Sequence, residues 1–245
     1  MKDYFSTQSK AYATFRPTYP PALYEFILRH VKAKTDAWDC ATGNGQVAQF
    51  LSDHFDSIHA TDISQQQLDH AIKRENIFYS LCPAEKTTFN DNQFDLVTVA
   101  QALHWFDRDA FYQEATRVCR PGAVLAVWGY ALLYIDPPID DLIMEFYGHT
   151  VGPYWDGARK LVEEKYETIE FPFEEIEAPV FSIQVQWSLD QIAGYFSSWS
   201  ATQKYIKEKV SDPVPAIIKR LEKHWAEPTL TVTFPLFTRI GVISK

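Results

Sequence analysis

The spacing of apolar and polar residues switches repeatedly between two periods along the first half of the chain. Short apolar runs at 37–40, 57–61, 77–81, 94–100 and 123–128 read as strands. Phe94-Asp95-Leu96-Val97-Thr98-Val99-Ala100 is apolar almost throughout, as in a strand buried on both faces. Between them apolar residues recur at helical spacing: Leu23, Phe26, Ile27 and Val31; Val47, Phe50 and Leu51; Leu68, Ala71 and Ile72; Phe111, Ala115 and Val118. Ser64 can cap a helix running through Arg74, Asp107 or Asp109 can cap the next, and Arg120-Pro121-Gly122 can stop it. Five alternating β and α units predict an α/β, doubly wound sheet.

Beyond Gly129 the rhythm breaks. Helical patches at Leu142–Thr150 and Ala158–Tyr166 lie among prolines and aromatics outside the alternation, and predict a helical lid inserted over a ligand pocket. Phe181–Trp187 alternates strictly and predicts a half-buried strand, with helices following at Leu189–Trp199, Thr202–Lys209 and Pro215–Trp225. The run Leu230–Ile243, with Pro235 inside, predicts a bent or interrupted strand closing the sheet antiparallel. The expected organisation is residues 1–129 as an N-terminal arm and ligand-binding core, 130–178 as the lid, and 179–245 as strands and helices completing a seven-stranded, mostly parallel sheet.

The chain has 245 residues and a net charge of −9, with 46% hydrophobic and 15% aromatic content. A chain of this size buries a sizeable core in one domain, with room for a subdomain. The acidic balance argues against sequence-independent nucleic-acid binding, which depends on Lys and Arg against phosphate. The start lacks an apolar core, and the most apolar stretch, Val124–Ile135, is too short to span a bilayer. The expectation is therefore a soluble cytoplasmic protein with no membrane partner. Cys40, Cys82 and Cys119 are scattered singly and read as small buried residues, so no metal site is expected.

Candidate chemistry concentrates between residues 37 and 64. Ala37-Trp38-Asp39 runs into Ala41-Thr42-Gly43-Asn44-Gly45-Gln46, a helix follows, and the next strand ends on Thr61-Asp62-Ile63-Ser64. Glycines serve such a turn because the backbone passes from strand to helix in few residues and leaves no side chain between itself and a ligand. Asp62, at the tip of the second strand, can accept hydrogen bonds from both hydroxyls of a ribose. Gly43-x-Gly45-x-x-Ala48 with an acid about 20 residues on also fits a dinucleotide site, so a nicotinamide-dependent oxidoreductase stands as an alternative. Asp39 separates the two readings. Its carboxylate repels a pyrophosphate at the helix start and attracts an ammonium and a sulfonium, which favours S-adenosylmethionine over NAD. Ala41 stands where a glycine would serve, and is expected at negative φ.

Asp39-x-Ala41-x-Gly43-x-Gly45 resembles the first motif of the class I methyltransferases, with Ala41 as the departure. Further stretches resemble the trans-aconitate-type members: Phe5-Ser6 with Tyr12 and Phe15-Arg16-Pro17, Ala100-Gln101-Ala102-Leu103-His104-Trp105-Phe106, Tyr195-Phe196 with Trp199, and Phe237 with Arg239. The resemblance covers nearly the whole chain and implies a Rossmann-like methyltransferase fold, S-adenosylmethionine as cofactor and a small-molecule methyl acceptor. It implies Tyr12 and Arg16 near the methionine end of the cofactor, and Ala84 and Glu85, in the turn after the third strand, at the adenine. Asp39, Ala41, Gly43, Gly45, Gln46, Asp62, Ile63 and Gln101 are the other candidate cofactor residues. Gln101 and His104 are the candidate catalytic residues, and Trp105, Trp128, Trp155 and Arg239 the candidates for the acceptor.

Methyl transfer from a sulfonium is an in-line displacement, so the protein's main tasks are alignment and exclusion of water, which can contribute roughly 7–11 kcal/mol. A carboxylate acceptor needs no base but does need a cation, for which Arg16, Arg159 and Arg239 are candidates. A hydroxyl or amine acceptor needs a base, and His104 is the best placed. The resemblance favours a carboxylate on a small organic acid; the aromatics at Trp105, Trp128 and Trp155 suit an apolar acceptor equally. A non-catalytic module that binds S-adenosylmethionine is the alternative from a different class.

Overall fold

The computed structural model describes residues 17–245. Strands β1 (Asp36–Cys40), β2 (Ser57–Asp62), β3 (Ile77–Leu81), β4 (Phe94–Ala100) and β5 (Cys119–Tyr130) pair in parallel in the order β3-β2-β1-β4-β5. The order reverses between β1 and β4, and ligands of doubly wound sheets bind beyond the carboxyl ends of such a pair. Helices α1 (Pro21–His30), α2 (Gln46–Leu51), α3 (Gln65–Asp69) and α4 (Arg108–Val118) complete the alternation. Because strand side chains alternate, the sheet supports two cores. Ala37, Ala60, Leu96, Ala126 and Trp128 face α1 and α2; Trp38, Val97, Val99, Leu125 and Val127 face α4.

Two boundaries differ from the sequence reading. Ser64 caps α3 as expected, its hydroxyl accepting from Gln67 N (3.4 Å), but the helix stops at Asp69 and does not run to Arg74. The backbone is diverted to brace the turn after β1: Ile72 N bonds to Asn44 O (3.3 Å) and Tyr79 Oη donates to Ile72 O (2.7 Å). Ile72 is consequently 37% exposed and not inward. Strand β5 begins at Cys119, so Arg120-Pro121-Gly122 stops the helix and lies within the strand, with Gly122 left-handed (φ +83°) and Arg120 pairing with Asp95 (2.7 Å) and Asp36 (3.4 Å).

Among the described residues the sheet has eight strands. Strand β6 (Glu174–Glu175) is a two-residue edge, and β7 (Ser182–Trp187) and β8 (Leu230–Val242) supply the rest. The second half of β8, from Leu236, runs antiparallel to β5; its first half, up to Pro235, runs antiparallel to β7. The strand is continuous, and Pro235, which has no N–H to give, marks where its partner changes.

Helices α5 (Pro137–Glu145) and α6 (Arg159–Glu163) lie within residues 130–178; α7 (Leu189–Ser197), α8 (Ser200–Lys209) and α9 (Val214–Leu221) follow β7. α7 packs on β7, but α9 also meets α5, and α8 meets the turn Gly152–Tyr154. Aromatic rings join the two segments: Phe146 lies 5.3 Å from Phe196, and Tyr147 and Trp155 lie 5.6 and 5.5 Å from Trp199. No helix among the described residues is long and apolar enough to cross a membrane.

Candidate active site

Between β1 and α2 the chain turns through three left-handed residues, Ala41 (φ +56°), Gly43 (φ +57°) and Gly45 (φ +82°). The expectation of a negative φ at Ala41 is thus corrected: the alanine bears the steric penalty of this conformation, about 1–2 kcal/mol for a residue with a Cβ. At Gly45 a Cβ would come 2.2 Å from Tyr79 Oη, so the glycine is a requirement of packing as well as of φ. At Gly43 a Cβ would meet nothing within 4 Å and would occupy the cleft above the turn.

Asp39 lies beneath this turn, 1% exposed. Its Oδ2 accepts from the Thr42 hydroxyl and from Ala48 N (3.1 Å), its Oδ1 from the Thr98 hydroxyl (2.8 Å), so one carboxylate ties β1 to α2 and β4. Burial pushes this carboxyl up to about 6; the three donors pull it back, and the Asp62 charge adds to the rise. Asp62 braces the turn from the side, Oδ2 accepting from Gly43 N (2.9 Å) and Oδ1 from Ser64 N (2.8 Å).

Asp39, Ala41, Gly43, Gln46 and Gln101 line one cleft at the strand ends. Gln101 is also left-handed (φ +56°), with its N bonded to Trp128 O (2.9 Å) and its side-chain amide donating to Tyr130 O (3.4 Å). Strained backbone of this kind is costly and clusters at ligand sites. The cleft fits S-adenosylmethionine: a turn with no side chain at Gly43 and a buried carboxylate, Asp39, whose field favours a cation, while Asp62 at the tip of β2 braces the turn and does not itself line the cleft. Tyr19, which ends the stretch Phe15-Arg16-Pro17-Thr18-Tyr19, and Tyr130 line the cleft as well, and neither was among the candidate site residues. Ile63 is half-buried just past β2, and Ala84 is buried. Glu85 accepts from Asp107 N (3.1 Å) at the start of α4. None of these three lines the cleft, and Gly45 sits buried under it. Tyr12 and Arg16 lie outside the described residues.

A second space of about 690 Å³ opens beyond Tyr130, lined by Ala131, Leu132, Tyr147, Trp155, Arg159 and Glu163 among others. Tyr147 Oη accepts from Arg159 Nε (3.0 Å) and donates to Glu163 Oε1 (2.6 Å). Burial pushes this hydroxyl up to about 12, so it stays a neutral bridge. The Arg159 guanidinium stands 4.9 Å from the Trp155 ring centroid and 5.7 Å from that of Tyr147, and among the described residues no carboxylate pairs with it. Trp155 Nε1 donates to Tyr147 O (3.2 Å), fixing the ring at the rim.

Three candidates for the acceptor line neither space. Arg239 is spent on structure: it pairs with Glu175 and donates to the carbonyls of Tyr166 (2.9 Å) and Ile169 (2.8 Å), pinning that loop to β8. Trp128 is fully buried against Tyr19 and Tyr24 and lines neither space, because its strand position faces α1. Trp105 is half-buried, its ring 4.7 Å from that of His104, and lines neither space. His104 is buried, with Nδ1 hydrogen-bonded to the Tyr166 hydroxyl (2.7 Å). Burial, and then the Arg159 charge, bring its pKa down to about 3, against an opposing pull from Asp156. Tyr166 is 62 positions away in sequence, and no local pattern announces the pair.

Comparison with known proteins decides the family. A family model described as a methyltransferase domain matches residues 38–127. A Dictyostelium discoideum protein named as a methyltransferase is 34% identical over 244 residues, covering 96% of this chain and 93% of that protein. The chain belongs to the class I S-adenosylmethionine-dependent methyltransferases. A solved Anaeromyxobacter dehalogenans protein described as a type II methyltransferase is similar to this methyltransferase throughout. The identity is 37%, the TM-score 0.87, and the match covers 94% of this chain and 99% of that one. The Haemonchus contortus phosphoethanolamine N-methyltransferase 2, solved with S-adenosylhomocysteine and phosphomonomethylethanolamine, shares the fold alone. It is 15% identical with a TM-score of 0.50, over 100% of this chain and 58% of that one. Family membership makes S-adenosylmethionine the cofactor of this methyltransferase and removes the nicotinamide alternative. Among the described residues no cluster of His, Cys, Asp or Glu could hold a metal ion.

Proposed function

We propose that the methyltransferase esterifies the carboxylate of an organic acid bound in the space beyond Tyr130, with Arg159 receiving the acid group. The observation that carries this reading is the Arg159 guanidinium, set beside the paired Trp155 and Tyr147 rings and held by Tyr147 Oη at the wall of the cavity, with no carboxylate partner among the described residues. Bidentate recognition by a guanidinium held in place suits a carboxylate better than a hydroxyl or an amine.

When bound, S-adenosylmethionine supplies a methyl group on a cationic sulfur: the acceptor oxygen forms the C–O bond as the C–S bond breaks, leaving a neutral ester and a neutral thioether with no proton to move. His104 supports the same reading, since an imidazole at about 3 is too weak a base to activate a hydroxyl or an amine near neutral pH. We assign His104 and Tyr166 to holding the turn after β4, and Gln101 to orienting groups where the cleft and the cavity approach each other through Tyr130 and Ala131.

The test is a panel of carboxylic acids, phenols and amines incubated with S-adenosylmethionine, with products read by mass spectrometry. Methyl esters are expected. Arg159→Met should raise the acceptor KM by roughly 10- to 100-fold, the worth of a charge-assisted hydrogen bond, while S-adenosylhomocysteine still binds. Transfer to phenols or amines with Arg159→Met indifferent overturns the proposal.

A further inference from the structure

We infer that the acceptor is a monocarboxylic acid with an extended apolar body, and that Glu163 selects against acids bearing a second carboxylate. The inference rests on the carboxylate reading and goes beyond it in naming which acids fit. The cavity of about 690 Å³ falls in the range of roughly 300–1,000 Å³ that encloses drug-sized ligands, far more than a short diacid fills. Away from Arg159 its wall is apolar: Leu132, Met144, Val162 and the Trp155 ring. Met144 is 57% exposed, and its flexible thioether adapts to varied shapes.

The charges on the wall cancel. Arg159 and Lys160 face Asp156 and Glu163, so there is no surplus of cations for a polyacid. Lys160 is already paired with Glu164 (3.5 Å) and Asp156 with Lys204 (3.8 Å). Arg159 and Glu163 are kept from pairing with each other by sharing the Tyr147 hydroxyl, which accepts from the one and donates to the other. A first carboxylate on Arg159 therefore has a fixed negative charge close by, and a second carboxylate would meet that charge without a cation to offset it.

The experiment measures kcat/KM for straight-chain monocarboxylates of increasing length, for 3-phenylpropanoate and for the matching α,ω-dicarboxylates. Each added methylene that is buried should raise kcat/KM about three- to fourfold, from about 0.8 kcal/mol per CH2. Each diacid should fall at least tenfold below the monoacid of the same length. Glu163→Gln, whose amide oxygen can still accept from Tyr147, should raise kcat/KM for the diacids by at least fivefold; retained binding of S-adenosylhomocysteine verifies that the variant is folded. A preference for short diacids, or a gap that survives Glu163→Gln, overturns the inference and leaves the carboxylate reading in place. Methyl transfer to hydroxyl or amine compounds with every acid inert overturns both.

Discussion

Ala41 and Gly43 share a left-handed backbone two residues apart, and opposite substitutions at them should have opposite effects. The conformation costs a residue with a Cβ about 1–2 kcal/mol relative to glycine. Glycine gives back about 0.4–1 kcal/mol through the freer unfolded chain. The Ala41 methyl is half-buried against the second core and contributes up to about 0.4 kcal/mol, half of a fully buried carbon. Ala41→Gly should then gain about 0.5 kcal/mol. Gly43→Ala, whose Cβ finds no packing partner, should lose about 0.5–1 kcal/mol. In a chain of this size 1 kcal/mol moves Tm by about 2–4 °C, so scanning calorimetry should separate the two variants by about 2–6 °C. Titration with S-adenosylhomocysteine should show weakened binding for Gly43→Ala only, because its methyl enters the cleft. A lower Tm for Ala41→Gly, or a higher one for Gly43→Ala, refutes the account of the turn.

Asp39 titrates near 6 when folded, above an ordinary carboxyl, so between about pH 4 and 6 the folded protein holds a proton that the unfolded chain has lost. Stability should fall as pH rises through that window and level off above it, and Asp39→Asn should remove the slope in denaturant titrations. A cationic ligand favours the ionised form, so S-adenosylmethionine should bind more tightly as pH rises through 6, with proton release visible by calorimetry in buffers of different ionisation enthalpy. Arg239→Met breaks two charge-assisted bonds to carbonyls and an ion pair. It should lower stability by about 2 kcal/mol with acceptor KM within twofold of the parent; a large rise in KM would return Arg239 to the acceptor site. Gly45→Ala drives a methyl into Tyr79 Oη, and Tyr79→Phe should relieve roughly 1 kcal/mol of that loss in a double-mutant cycle, whereas strict additivity would mean that the turn relaxes away from the ring.

The central strands were legible because strands covered on both faces announce themselves as unbroken apolar runs. Phe94–Ala100 coincides with β4 to the residue; Ile77–Leu81 coincides with β3 as well, an edge strand whose Phe78 and Leu81 are exposed. The cofactor turn was legible because Asp39, Ala41, Gly43 and Gln46 fall within one loop, and a short loop needs no tertiary information to bring its residues together. Distance in sequence hid the rest. Arg239 reads as a surface cation until its partners, 64 to 73 positions away, are in place. Trp128 reads the same whether its strand face meets a helix or a ligand, and only α1 decides between them. Ile72 has the helical spacing of its neighbours, but Asn44 and Tyr79 pull its backbone out of the helix, a competition that propensity does not register. The φ of Ala41 follows from the path between β1 and α2, which a methyl group on its own does not disclose.

Strand β8 also sets a schedule for synthesis. It is made about a hundred residues after β5, and both β5 and β7 wait for it to complete their pairing. At ribosomal speeds of about 5–20 residues per second, the outer edge of β5 stays open for roughly 5–20 s, with backbone donors and acceptors available to any neighbouring nascent chain. The pairing of β5 and that of β7 are then both completed by the same thirteen residues. Pauses in translation between residues 130 and 230 should therefore lower the yield of soluble protein more than pauses before residue 100, although neither changes an amino acid.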